Sequence, residues 1–140
     1  MAAKSKLKET RKSAALLTVF NQKGGCGKTM ASMQLAGTLG RMGVKTFLID
    51  MDPQNTAALW YHEADVVTNP FPADVLSLAP QRETFVSKLE GISKNYDLII
   101  IDCPPALGSQ VPWASLLVAD LAIIPVMPVM DNVWASKQAE

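Results

Sequence analysis

The sequence predicts an α/β fold, a mostly parallel sheet with helices on both faces, and three observations carry that expectation. Leu16-Leu17-Thr18-Val19-Phe20, Thr46-Phe47-Leu48-Ile49 and Leu98-Ile99-Ile100-Ile101 are short, nearly continuous apolar runs. Strands covered on both faces read this way, because neither side of the pleat meets water. Stretches with helical spacing separate the runs, as crossover connections between parallel strands require. Two of the runs end in an aspartate, Asp50 and Asp102, and the carboxyl ends of parallel strands form the ligand edge of such sheets.

Taken in order, a strand over residues 15–20 leads through a glycine-rich turn to a helix over 28–42. There Leu35, Leu39 and Met42 are spaced to share one face, and Gly43 supplies the stop. A second strand over 46–49 ends at Asp50, and a helix follows over 55–64. A loop with Pro70 and Pro72 leads to a short strand over 75–78. Residues 83–94 read as a helix with Phe85, Leu89 and Ile92 in register. The clearest strand spans 97–102. A helix over 112–119 and a strand over 121–126 follow, and a last helix opens after Asp131.

The chemistry begins at Lys23-Gly24-Gly25-Cys26-Gly27-Lys28-Thr29, between the first strand and first helix. Binding a triphosphate needs backbone N–H groups converging on phosphate oxygens, and residues without side chains permit that approach. The helix opening near Lys28 adds its positive end. Lys28 then reaches the β- and γ-phosphates, and the Thr29 hydroxyl serves as a ligand for Mg²⁺. The standard P-loop pattern places a glycine five residues before Gly27, where this chain has Gln22. The form that does stand here arises by chance in roughly one chain of this size in 10⁵, so a merely structural glycine turn is the weaker reading.

Asp50-Met51-Asp52-Pro53-Gln54 closes the second strand, and Ile99-Ile100-Ile101-Asp102 closes the 97–102 strand before Cys103-Pro104-Pro105. Apolar residues ending in aspartate form a Walker B pattern, whose carboxylate holds Mg²⁺ directly or through water. Asp50 falls nearer the metal shell or acts as a cap, and Cys103 reads as a small filler beside the site.

Together these segments resemble the deviant Walker A group of P-loop NTPases, and within it the ParA/Soj partition ATPases, with MinD and the nitrogenase iron protein as relatives. The resemblance covers about residues 14–135. It implies ATP and Mg²⁺ as cofactors, with Gly24, Gly25, Cys26, Gly27, Lys28 and Thr29 on the nucleotide. It further implies that Thr29 and Asp102 serve the metal, and that Asp52 positions the attacking water. Lys23, on an exposed loop, crosses to the partner's nucleotide as a trans-acting cation. The implied protein is a homodimer when ATP-bound, binds nonspecific DNA and a centromere-binding partner protein, and segregates a plasmid or chromosome. Such a protein is cytoplasmic and nucleoid-associated. A MinD-like membrane-cycling ATPase and a metabolic enzyme on the same scaffold are the alternatives.

Composition fits one globular domain. At 140 residues, 49% hydrophobic and 19% charged, the chain is long enough to bury about two-thirds of its unfolded surface. The neutral total hides an asymmetry: Lys4, Lys6, Lys8, Arg11 and Lys12 against Glu9 give residues 1–12 a charge of +4, and the remainder carries −4. Residues 1–12 are expected as a flexible basic tail and 13–140 as a P-loop domain lacking its C-terminal strands and helices. Two cysteines, Cys26 and Cys103, form no disulfide framework or zinc spacing. The apolar stretch 116–130 is broken by Asp120, Pro125 and Pro128, so stable membrane insertion is not expected. His62 reads as a surface helix residue, and Trp60, Trp113 and Trp134 as core or interface packing. Ala119-Asp120 and Ile124-Pro125 read as structural junctions.

Overall fold

The computed structural model describes residues 13–64, 67–105 and 108–128. Strands β1 (Ala15–Val19), β2 (Thr46–Asp50), β3 (Asp74–Ser77), β4 (Leu98–Asp102) and β5 (Leu121–Ile123) alternate with helices α1 (Lys28–Arg41), α2 (Thr56–Glu63), α3 (Val86–Ser93) and α4 (Val111–Val118). The strands form one parallel sheet in the order β3-β2-β4-β1-β5. The most apolar strand takes the centre: Ile99, Ile100 and Ile101 are fully buried, with β1 on one side and β2 on the other.

Strand alternation divides the core into two layers. Leu17, Val19, Leu48 and Ile100 face α1 and α2, joined by Met33, Ala36 and Ala57. Ile49, Ile99, Ile101 and Cys103 face α3 and α4, joined by Phe85, Leu89 and Val111. Helices therefore cover both faces, as the apolar runs require.

Four local expectations change. The inward face of α1 centres on Ser32, Met33, Ala36 and Gly37; of the expected trio Leu35 packs partly against the same core, while Met42 is exposed. Small side chains let the helix axis approach the sheet, and that closeness outweighs the spacing of the larger apolar residues. The helix expected over 83–94 begins only at Val86; before it, Ala79–Phe85 is a 3₁₀ segment interrupted at Arg82, whose φ is 46°. Pro80 near the start of that segment can donate no backbone bond. Strand β5 stops at Ile123, short of 126, because Pro125 lacks an N–H and its carbonyl is taken by Asn21. Of the core or interface packing expected for Trp60 and Trp113, the core half drops out, since they are 43% and 60% exposed.

Elsewhere Phe85, Leu89 and Ile92 pack into the core and His62 is exposed on α2, as expected. Asp120 accepts from the Leu16 amide and its own amide returns a bond to the Leu16 carbonyl, a structural junction. The basic tail, Trp134 and the helix expected after Asp131 lie outside the described residues. Among the described residues no helix is long and apolar enough to cross a membrane.

Candidate functional site

The carboxyl ends of β1, β2 and β4 sit side by side, because the register pairs Val19 with Asp102 and Asp50 with Asp102. The loop after β1 turns into α1 through glycines in left-handed conformation, Gly25 at φ 71° and Gly27 at φ 89°. Gly27 is the N-cap of α1 and offers no side-chain cap. The amides of the first turn are thus left for a ligand rather than a neighbouring side chain.

Lys28 is the first residue of α1 and is buried. Its Nζ donates to the Lys23 carbonyl at 2.8 Å and approaches Cys26 Sγ at 3.7 Å. These acceptors are neutral, and a buried ammonium gains most from an anion. Cys26 Sγ also donates to the Lys23 carbonyl, at 3.2 Å. Lys23 itself is half-buried rather than exposed, as expected of a loop tip, while Gly24 and Gly25 are exposed. Its amide donates to Asn21 Oδ1 at 3.1 Å.

Asp102 is fully buried and accepts from Thr29 Oγ1 at 2.8 Å; Ser32 Oγ lies 3.1 Å away, its one proton shared between Asp102 and the Lys28 carbonyl at 2.9 Å. Burial pushes its carboxyl up to about 7; the Thr29 hydroxyl opposes the rise and the neighbouring Asp50 charge adds to it. Asp50 is also fully buried, but its partners are backbone: the amides of Asp52 and Ala58, each at 3.1 Å. Of its two expected roles, that geometry is the cap: Ala58 lies in the first turn of α2, whose N-cap residue Asn55 makes no side-chain bond. Burial raises the Asp50 carboxyl above its usual range, against those two amide bonds.

Asp52 is half-buried and its Oδ1 accepts from the Gln54 amide at 2.9 Å, fixing the turn after β2. It borders a cleft of about 530 Å³ between residues 51–54 and the loop at Pro104, Pro105 and Gly108. Gly24 meets that loop as well, since a Cβ there would lie 3.8 Å from Pro105. The nucleotide-loop residues, Thr29 and Asp102 therefore converge, with Asp52 on the adjoining loop.

Cys103 is more than a filler. Its buried Sγ lies 3.3 Å from Thr18 Oγ1 and 3.2 Å from Ser115 Oγ. Burial pushes the thiol up to about 11, so the S–H is retained. Three contributors escaped the motif reading: Asn21, Ser32 and Ser115. Ser32 carried a usable signal, lying three residues after Thr29 on the same helical face. Asn21 and Ser115 are tied to partners about a hundred residues away, Pro125 and Thr18, which no local pattern marks.

A family model described as the CobQ/CobB/MinD/ParA nucleotide binding domain matches residues 17–125. The chain belongs to that family. The likeness to ParA and Soj expected from the motifs appears among its relatives. Maintenance of carboxysome distribution protein A from Halothiobacillus neapolitanus is 34% identical over 125 residues, covering 89% of this chain and 56% of that protein. Sporulation initiation inhibitor protein Soj from Bacillus subtilis is 32% identical, covering 79% of this chain and 57% of Soj. The chain thus spans little more than half the length of these relatives. A solved plasmid partition protein from Borrelia burgdorferi, bound to AMPPNP, superposes with a TM-score of 0.73 at 22% identity, over 91% of this chain and 69% of that one. That likeness establishes the P-loop NTPase fold.

The donor set suits Mg-ATP. A buried ammonium and open helix amides fit phosphates, and a hydroxyl beside a carboxylate fits a hard divalent cation. Among the described residues no three His, Cys, Asp or Glu side chains cluster to hold a metal by themselves. A cation here takes the rest of its shell from phosphate and water, the usual arrangement for Mg²⁺.

Proposed function

We propose that this chain is the nucleotide-binding part of a partition-type ATPase that binds and hydrolyses Mg-ATP. The observation that carries the reading is Lys28: a buried cation at a helix start, hydrogen-bonded among the described residues to neutral acceptors, five residues after Lys23 and beside the Thr29–Asp102 pair. Phosphate oxygens replace the Lys23 carbonyl as the partner of Lys28. Thr29 and Asp102 would hold the cation between them, the Thr29 oxygen turning from the carboxylate and Asp102 contributing to the cation's shell. Mg²⁺ bound there neutralises charge between the phosphates. Asp52 orients the attacking water.

In this proposal the ATP form is a homodimer in which Lys23 reaches the partner's nucleotide, as the sequence resemblance implies. The dimer binds nonspecific DNA and a centromere-binding partner, and hydrolysis resets it. The cargo is a plasmid or chromosome, and the protein works in the cytoplasm on the nucleoid. The likeness to Soj and to a plasmid partition protein supports this reading over membrane cycling.

Calorimetry with ATP tests the core of it. Lys28→Ala should remove detectable binding, and unchanged affinity overturns the assignment. In the same experiment Lys23→Ala should retain binding yet fail to sediment as a dimer with Mg-ATP. A Lys23→Ala protein that still dimerises removes the trans role.

A further inference from the structure

Asp102 and Cys103 are adjacent, yet strand alternation sends them to opposite faces of the sheet. Asp102 fastens to α1 through Thr29 and Ser32. Cys103 lies against Thr18 of β1 and Ser115 of α4. Thr18 and Ser115 also meet directly at 2.9 Å, and all three side chains are buried. Ser115 has a single hydroxyl proton, and the Pro112 carbonyl at 2.8 Å takes it. Ser115 therefore accepts from Thr18 and Cys103, and those two, with their protons committed to Ser115, meet each other only in packing contact.

Its position gives it a task. The Cys103 amide makes the last ladder bond of β4, to the Val19 carbonyl at 3.1 Å. Pro104 and Pro105 follow and have no N–H to continue it. The Cys103 side chain is thus the last anchor before the loop that borders the site. An apolar trio would fill the same space, as buried polar groups add little net stability. What hydrogen bonds add is a fixed distance and angle.

We propose that Cys103, Thr18 and Ser115 are positioning residues that hold the end of β4 so that the Asp102 carboxylate meets the metal ion at the right height. This deepens the Mg-ATP reading and rests on it. None of the three touches nucleotide or metal; they act through the backbone of Asp102. Losing one bond leaves the phosphate-binding loop intact but lets the carboxylate drift, so the defect falls on Mg²⁺ rather than on nucleotide.

The test is equilibrium binding of a fluorescent ATP analogue, titrated with Mg²⁺, for the parent protein, Ser115→Ala, Thr18→Val and Cys103→Ser. Ser115→Ala and Thr18→Val should each raise the Mg²⁺ midpoint roughly three- to tenfold, the size expected of one lost hydrogen bond. Affinity without Mg²⁺ should stay within about twofold, because those amides and Lys28 are untouched. Cys103→Ser keeps a donor and should return the midpoint close to the parent's. Thr18→Val preserves shape, so it reports even where Ser115→Ala fails to fold. Midpoints equal to the parent's in the folded variants overturn the proposal, as does a loss of Mg-free affinity and melting temperature with no midpoint change. A parent that binds no nucleotide at all overturns the Mg-ATP reading and this proposal with it.

Discussion

Asp50 and Asp102 are register partners at the ends of adjacent strands, both fully buried and both facing the α1–α2 layer. Their hydrogen bonds divide them. Asp102 accepts only from hydroxyls, Thr29 and Ser32, which swing away by a rotation about one side-chain bond. Asp50 accepts from the amides of Asp52 and Ala58, which move only if the turn and α2 move. Two identical side chains at matched positions thus perform different work, one exchangeable and one fixed. The type of donor, rather than depth of burial, separates the two: hydroxyls can turn toward a ligand, and amides fixed in a turn and a helix cannot.

The largest expected effect sharpens that contrast at Asp102. Asp102→Asn should lower ATP turnover about 10²–10³-fold, since it removes the charge facing the cation. The same variant should melt higher than the parent without ligand, by a few degrees for about 1 kcal/mol of relieved carboxylate burial. Turnover assays and thermal melts check both, and a large activity loss with a lowered melting temperature breaks the contrast.

Asp52→Ala comes next. In the proposed mechanism its carboxylate orients water, beside holding its own turn, so turnover should fall about 10-fold or more while Mg-ATP affinity stays close to the parent's. Single-turnover rates beside calorimetry separate the two, and a parallel loss of affinity places Asp52 among the metal-binding groups.

The smallest effect is at Asp50. Asp50→Ala uncaps α2 and should cost about 1 kcal/mol of stability, with nucleotide affinity little changed. Chemical denaturation measures the loss; a stable variant that has lost Mg²⁺ dependence reverses the roles of the two aspartates.

Much of this site is readable from local residues. Lys28 and Thr29 are adjacent in a motif whose geometry comes from Gly25 and Gly27, and backbone conformation at glycine is a local property. The Asp50 and Asp102 positions followed from apolar runs that end in a charge. The division of labour between them was not readable: the helical face marks Ser32 beside Thr29, but not that the carboxylate 70 residues on, rather than Asp50, meets that face. Cys103 looked like a filler for the same reason: Thr18 lies 85 residues away.

The sequence by itself determined the order of strands and helices, the parallel sheet covered on both faces, the glycine-rich turn into α1 and the strand ends that carry aspartates. These depend on periodicity, glycine and charge over a few residues, where short-range sterics and burial preference dominate. Only the tertiary structure decided that β4 enters between β1 and β2, that small residues turn α1 inward, and that Asp50 caps α2. It also decided that Cys103 joins Thr18 and Ser115. Each of these is a contact between segments distant in the chain, settled when side chains compete for one packed interior and its few hydrogen-bond partners.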